Sequence, residues 1–339
     1  MSDRNRFLAA AVIFVALLLT AGTAPAENQA GTRPNLGGAP DEVTVGIGLL
    51  DVVDIDNRQQ VFTVDIFVQI QWRDPRLAIE GDVTDDYRTF AVSDIWTPRL
   101  TVVNSRGLDV LLPEVVTVDR QGNVELRQRL AGPLAVELDL RDFPFDTQLL
   151  PIEIVSYQYS PDELVFSPAS KLVARLDDLS GNGWAFALVE PEISVYRLSD
   201  SGPGSSLLTF AVLAKRDAGY YTLTLALPMT LILFLAWMAH WLPPDLVPAR
   251  MGIASATVFS LIAFGVSFRL TLPPIAYLTI ADRFVVYANV LVLLSLIVTV
   301  VSTRWITSER EAASIRLCRY SRLAFPWLYV LVTLLAFTT

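Results

Sequence analysis

The stretch Val247–Pro274, VPARMGIASATVFSLIAFGVSFRLTLPP, decides how this chain is read. From Arg250 to Leu270 it is long enough to cross a bilayer as a helix, at about 1.5 Å per residue. Arg250 and Arg269 stand at or near its ends. Between them Gly252, Ala256, Phe259, Ala263 and Val266 follow at intervals of four, three, four and three residues, which places them on one helix face. Small and hydroxyl residues fill much of the rest: Ala254, Ser255, Thr257, Ser260, Gly265 and Ser267. A span bathed in lipid is richer in Leu, Ile and Val. This one is built to be shielded from lipid, and its small and aromatic face suits the lining of a pore.

Three more apolar segments surround it: Tyr220–Trp241, Phe284–Val301 and Leu323–Phe337. With 53% hydrophobic residues, the chain is too apolar to be wholly soluble, and the excess lies after residue 219. Pro228 falls inside the first segment, where neighbouring helices can satisfy the freed backbone groups. Tyr220, Tyr221, Trp237, Trp241, Trp305 and Trp327 lie near segment ends, as interfacial aromatics do. The link Thr303–Arg322 carries Arg304, Arg310, Arg316, Arg319 and Arg322 against Glu309 and Glu311, so it is expected on the cytoplasmic side. Residues 219–339 are read as a membrane domain with spans 220–241, 250–270, 284–301 and 323–337, its C-terminus outside.

The other half of the chain obeys a different period. Arg4 and Arg6 precede the apolar run Phe7–Leu19 and then Ala24-Pro25-Ala26, the form of a signal peptide over residues 1–26. Residues 27–40, rich in Gly, Pro and Asn, are expected to be disordered. Residues 41–218 alternate in short runs, most clearly in Val61–Trp72. Further runs occur at Leu100–Val103, Val115–Val118, Val124–Leu130, Leu134–Leu140, Gln148–Val155, Trp184–Leu198 and Leu207–Lys215. Gln121-Gly122-Asn123, Gly181-Asn182-Gly183 and Ser201-Gly202-Pro203-Gly204 punctuate them. About ten strands with turns between them predict an extracellular antiparallel β-sandwich ahead of an all-α four-helix membrane domain.

Composition also excludes functions. Cys318 is the only cysteine and His240 the only histidine, so the exported domain has no disulfide and a Cys/His metal site or nucleophile pair lacks residues. Neither a phosphate-binding glycine loop nor a G-x-S-x-G elbow occurs, so no enzyme activity and no cofactor is expected. Between Glu27 and Ala218 there are 30 Asp and Glu against 16 Lys and Arg, which argues against a nucleic-acid partner.

Five motifs then resemble one family. Phe143-Pro144-Phe145-Asp146-Thr147-Gln148 matches the F-P-F-D-x-Q core of the signature loop of pentameric ligand-gated ion channels, the Cys-loop receptors. The two family cysteines fall at Val136 and Leu150, so the loop disulfide is missing, as in bacterial members. Ile95-Trp96-Thr97-Pro98 resembles the W-x-P loop, and Trp72-Arg73-Asp74-Pro75-Arg76-Leu77 the W-x-D-x-R-L strand end. Arg322-Leu323-Ala324-Phe325-Pro326 resembles the start of the fourth helix, and Leu272-Pro273-Pro274 the link after the second.

The resemblance implies a homopentamer in the cell membrane with five copies of the second helix around a pore. Counting back from Pro273 gives the face already noted: Gly252, Ala256, Phe259, Ala263 and Val266. Phe259 then closes the pore near mid-membrane by dewetting. This lining is more apolar than the family usually shows. Pro248-Ala249-Arg250 resembles the selectivity motif of chloride-conducting members, and Arg269 fits that class. A narrow mouth without carboxylates, at the positive end of a helix, favours anions. The acidic outer domain instead concentrates cations, so a cation channel gated by protons is the alternative. A membrane-anchored sensor without conductance is a third reading.

The resemblance also assigns coupling and agonist residues. Asp146 and Arg216 would form a charge pair at the domain boundary, meeting Asp56 or Asn57 and the link Pro273, Pro274 and Tyr277. Phe67 would supply one face of an aromatic box between subunits; Tyr157, Tyr159 and Tyr196 would supply the other. Such rings suit an amine-like agonist through cation–π contact. The capping loop Ser199–Ser206 has no aromatic residue, so the box is incomplete and protons remain an alternative stimulus. The remaining partners implied are membrane lipid and permeating monovalent ions.

Overall fold

The computed structural model describes residues 32–79, 86–168, 173–174, 179–197 and 204–338. The expected signal segment 1–26, the start of 27–40 and most of the capping loop 199–206 lie outside the described residues.

Strands β1 (Asp41–Asp56) and β2 (Val61–Arg73) pair antiparallel, with Val45 opposite Ile70 and Ile47 opposite Val68. Along β2 the alternation is complete: Phe62, Val64, Ile66, Val68, Ile70 and Trp72 are buried. Each such side chain stabilises the fold by about 1.5–3 kcal/mol. The first sheet runs β10 (Val173–Ala174), β1, β2, β7 (Asn123–Ala135), β6 (Val115–Asp119) and β3 (Tyr87–Ala91). In addition β5 (Asp109–Val110) joins β7, and β9 (Leu164–Pro168) joins β1. The second sheet runs β11 (Trp184–Leu188), β13 (Ser205–Arg216), β8 (Thr147–Ser156) and β4 (Leu100–Val102), with β12 (Glu192–Tyr196) also on β13. Between the sheets Trp72 meets Trp96 edge-on at 6.1 Å, and Trp96 Nε1 donates to Tyr159 Oη at 2.7 Å.

The expected β-sandwich is present and differs from the expectation in detail. Thirteen strands are described rather than about ten, because pieces as short as β5 and β10 carry too few residues to show alternation. The sandwich is also not wholly antiparallel: β9 and β10 run parallel to β1 and cover an edge that would otherwise be unpaired. In the segment read as disordered, Arg33 is buried and its Nη1 bonds to Ala39 O, Asp41 Oδ2 and Glu163 O, which fixes residues before β1. Gly122 must be glycine: it has φ +80, and a Cβ there would lie 2.5 Å from Asp74 O.

Four helices follow: α1 (Ala218–Met238), α2 (Val247–Arg269), α3 (Ile280–Thr307) and α4 (Glu311–Thr338). All four are long and apolar enough to cross a membrane. Asp217 caps α1 by accepting from Gly219 N, and Thr279 with Asp282 forms a capping box on α3. The basic link expected over Thr303–Arg322 is mostly helix, since α4 begins at Glu311. Its first turns bury Ser314 and Cys318 while Arg316 and Arg319 face outward, and Ser314 Oγ donates to Ser302 O on α3.

Candidate functional site

Helix α2 has two unlike faces. Arg250, Ala254, Thr257 and Leu261 are buried against the subunit's own helices. Gly252, Ala256, Phe259, Ala263 and Val266 are all exposed, Phe259 by 72% and Val266 by 60%. The five residues singled out in the sequence therefore share the face that the single chain leaves uncovered.

Arg250 does not join them. It is fully buried, its Nε donates to Ala239 O at 3.2 Å and its Nη2 to Cys318 Sγ at 3.2 Å. Arg322 Nε donates to the next carbonyl, His240 O, at 2.8 Å. Two guanidiniums thus satisfy the two carbonyls that follow α1, at the end where the helix dipole favours positive charge. Pro248 and Ala249 are exposed, and so is Asp245 on the link before α2, a carboxylate the sequence reading passed over. At the opposite end Arg269 is exposed and pairs with Asp282 at 3.3 Å.

The domain boundary is organised around Arg216. Its Nε and Nη2 donate to the two oxygens of Asp146 at 2.7 and 3.0 Å, and Nη2 also reaches Asn57 Oδ1 at 2.9 Å. Gln148 Nε2 donates to Asp146 Oδ2 at 2.5 Å. Three rings surround the guanidinium: Trp184 at 4.1 Å, Phe143 at 4.8 Å and Tyr221 at 5.3 Å. Both charges are buried, and that burial is offset by the two-pronged contact together with the bonds to Asn57 and Gln148. Of the two candidates Asp56 and Asn57, it is Asn57 that meets Arg216. Asp56 is occupied within its own turn, accepting from Arg58 N and Gln59 N. Trp184 lies directly across the strand pair from Arg216, a relation visible only once β11 and β13 are in register.

The helix link docks under the same loop. Tyr277 Oη accepts from Leu140 N at 3.0 Å, Arg141 stacks 4.8 Å over the Tyr277 ring, and Ile280 N and Ala281 N donate to Arg141 O and Phe143 O. Pro273 and Pro274 lie in the same link, and Ile275 N donates to Pro273 O. Phe145, at the loop tip, stacks on Phe337 of α4 at 5.5 Å.

The expected aromatic box is divided. Tyr157 is 61% exposed, whereas Tyr159 is buried and engaged by Trp96, so its expected role as a ligand contact is corrected to a core role. Phe67 is half-buried on the outward side of β2, opposite Arg129, and Tyr196 is half-buried on β12. Among the described residues no group of three or more His, Cys, Asp or Glu is placed to hold a metal ion.

A two-sheet domain followed by four membrane-length helices, with a buried charge pair at the sandwich end that meets them, is the architecture of a ligand-gated ion channel subunit. The family model for the neurotransmitter-gated ion-channel ligand binding domain matches residues 27–185, and that for the neurotransmitter-gated ion-channel transmembrane region matches residues 225–316. The chain belongs to this family of pentameric ligand-gated ion channels, without the loop disulfide, and is a multi-pass membrane protein rather than an enzyme. A proton-gated ion channel of Gloeobacter violaceus is 26% identical over 336 residues, which are 96% of this chain and 91% of that protein.

Proposed function

We propose that this protein assembles as a homopentamer in the cell membrane, its sandwich and C-terminus outside, with five α2 helices lining an ion pore that agonist binding opens. The exposed face of Gly252, Ala256, Phe259, Ala263 and Val266 carries this reading, because its mostly small residues offer lipid far less apolar surface than the Leu-rich exposed faces of the other three helices. Five Phe259 rings form the apolar constriction. Agonist binding falls between Phe67 of one subunit and Tyr157 and Tyr196 of the next. Motion passes through Arg216, Asp146 and Asn57 to Pro273, Pro274 and Tyr277.

Chloride is the favoured ion. Pro248 and Ala249 bring no carboxylate to the positive end of α2. Arg250 contributes through its field, since its side chain is turned into the bundle, and Arg269 is exposed at the other mouth. Asp245 and the acidic sandwich oppose this, and screening within about 8–10 Å limits the sandwich's reach. Proton gating with cation selectivity is the second reading, favoured by the relative that is a proton-gated channel. Reversal potentials in asymmetric NaCl, taken while pH and small amines are varied, separate them. Reversal at the chloride potential supports the first reading, and reversal at the sodium potential overturns it. Pentamers at the surface with no current under any stimulus would leave only a sensor.

A further inference from the structure

Strand β2 starts beside the Asn57 turn that meets Arg216 and runs away from the helices to Arg73. At that far end, on the outward side of the first sheet, register lines up polar side chains across neighbouring strands. Thr44 lies opposite Gln71, Gln71 opposite Glu125, and Glu125 opposite Thr117. A second row follows one step further out: Glu42 on β1, Arg73 opposite Asn123, and Asp119 opposite Tyr87. The rows cross five adjacent strands, β1, β2, β7, β6 and β3, at about 4.8 Å per strand. These nine residues line a cavity of about 550 Å³, and the other two lining it, Trp72 and Val124, are buried in the core.

Several of these groups are already held in place. Glu125 accepts from Gln69 and Gln71 through Oε1 and pairs with Arg127 through Oε2 at 2.8 Å. Asp119 accepts from Gln121 N, Asn123 N and Asn123 Nδ2. Both carboxylates are thus engaged within the protein and offer little to an ammonium ligand. Glu42 and Arg73 flank the Val43–Trp72 pair from neighbouring strands, so their charges offset one another. An anion would meet three carboxylates in one trough. What the surface presents is a mixture of donors and acceptors: the hydroxyls of Thr44 and Thr117, the amides of Gln71 and Asn123, and the Arg73 guanidinium. Tyr87, 65% exposed on the edge strand β3, adds an open ring at one end.

We propose that this trough binds a neutral, extended, β-linked oligosaccharide, its rings lying along the two rows and one of them stacked on Tyr87. A sugar hydroxyl both donates and accepts, which matches a row of mixed amides and hydroxyls. The ring-to-ring repeat of such a chain is close to the strand spacing, so successive rings meet successive strands. Side chains fixed before binding lose little freedom on contact. The cavity volume falls in the range of small-molecule sites. Gln71 lies about 13 Å along β2 from Phe67, so the site is distinct from the proposed agonist box.

The test uses the full-length protein in lipid nanodiscs, free of glycoside detergent, and three trimers on one β-1,4-linked backbone. Cellotriose is neutral, triglucosamine cationic and triglucuronate anionic, and saturation-transfer NMR follows each titration. Cellotriose should saturate and bind about tenfold more tightly than either charged trimer. Tyr87→Ala should weaken it about tenfold, and Tyr87→Trp, which restores a ring, should recover it. Gln71→Leu should weaken it as well, since one donor and one acceptor are lost. Binding is read without current, so the result stands whichever ion the pore passes. No saturation by cellotriose, equal binding of the charged trimers, or a Tyr87→Ala variant that binds as the wild type does would each overturn the proposal.

Discussion

Arg216 and Asp146 bury a two-pronged ion pair at the joint between sandwich and helices, with both side chains about 1% exposed. Removing one partner leaves the other charge without a counter-ion in an apolar setting, a loss of about 3–5 kcal/mol. Asp146→Leu and Arg216→Met should each lower the unfolding temperature and the yield of assembled protein. The double variant should recover part of the loss, because it buries no charge. Thermal unfolding of the detergent-solubilised protein checks both halves.

Asn57 and Asp56 are neighbours with different duties. Asn57→Ala removes a hydrogen bond to a charged group, worth about 1.5–3 kcal/mol. It should shift the stimulus–response curve, while Asp56→Ala, which loosens only its own turn, shifts it less. Dose–response recordings of the two variants decide the order, and a larger shift for Asp56→Ala would contradict it.

Phe259 is the largest exposed apolar side chain midway along the uncovered face of α2. Phe259→Thr should wet the constriction and produce current without stimulus. Unchanged resting current in a well-expressed variant would place the barrier elsewhere.

Tyr157 and Tyr159 lie two residues apart and should respond oppositely. Tyr159→Phe strands Trp96 Nε1 in the core and should destabilise by about 1–3 kcal/mol. Tyr157→Ala should leave stability intact and alter the response to agonist. Unfolding temperature and current recordings on the same pair of variants provide the comparison.

Two carboxyls give the sandwich opposed pH dependences. Hydrogen bonds from Ser160 N and Oγ hold Glu163 below its ordinary 4.5. Its contribution is complete above that value and is lost as pH falls through the lowered folded pKa. Burial pushes Asp41 above its ordinary 3.8 despite Arg33 and Asn35, so its effect is reversed: it favours the folded state below 3.8 and loses that effect as pH rises through its raised pKa. Ser160→Ala weakens the hold on Glu163 and should lower the unfolding temperature above pH 4.5 while leaving it unchanged at low pH, so that the acid limb becomes shallower. A limb of unchanged steepness would show that Glu163 does not contribute to it.

Much of this was legible because period and residue type agree. The alternation through Phe62–Trp72 gives the buried face of β2 directly, and the four-three spacing through Gly252–Val266 gives the uncovered face of α2. What stayed hidden depends on register and on side-chain direction. Trp184 is an ordinary strand aromatic until pairing sets it across from Arg216. Tyr157 and Tyr159 both look like box residues, and only the reach of Trp96 Nε1 separates them. The alternation rule puts them on one side of a strand, yet the chain has left β8 at Ser156, so the rule no longer applies. Arg250 has the residue type of a pore-mouth charge, but no spacing argument tells that its guanidinium turns back to cap α1.

That cap has a mechanical corollary. Arg250 ties the foot of α2 to Ala239 on one side and to Cys318 on the other, while at its head the exposed Arg269 pairs with the buried Asp282. The helix is a lever with its fulcrum at Arg250. In the pore proposed above, a displacement applied near Val266 would move Phe259 more than it moves Gly252 beside the anchored foot. For that pore, this means a foot held near one diameter and a level at Phe259 left free to change.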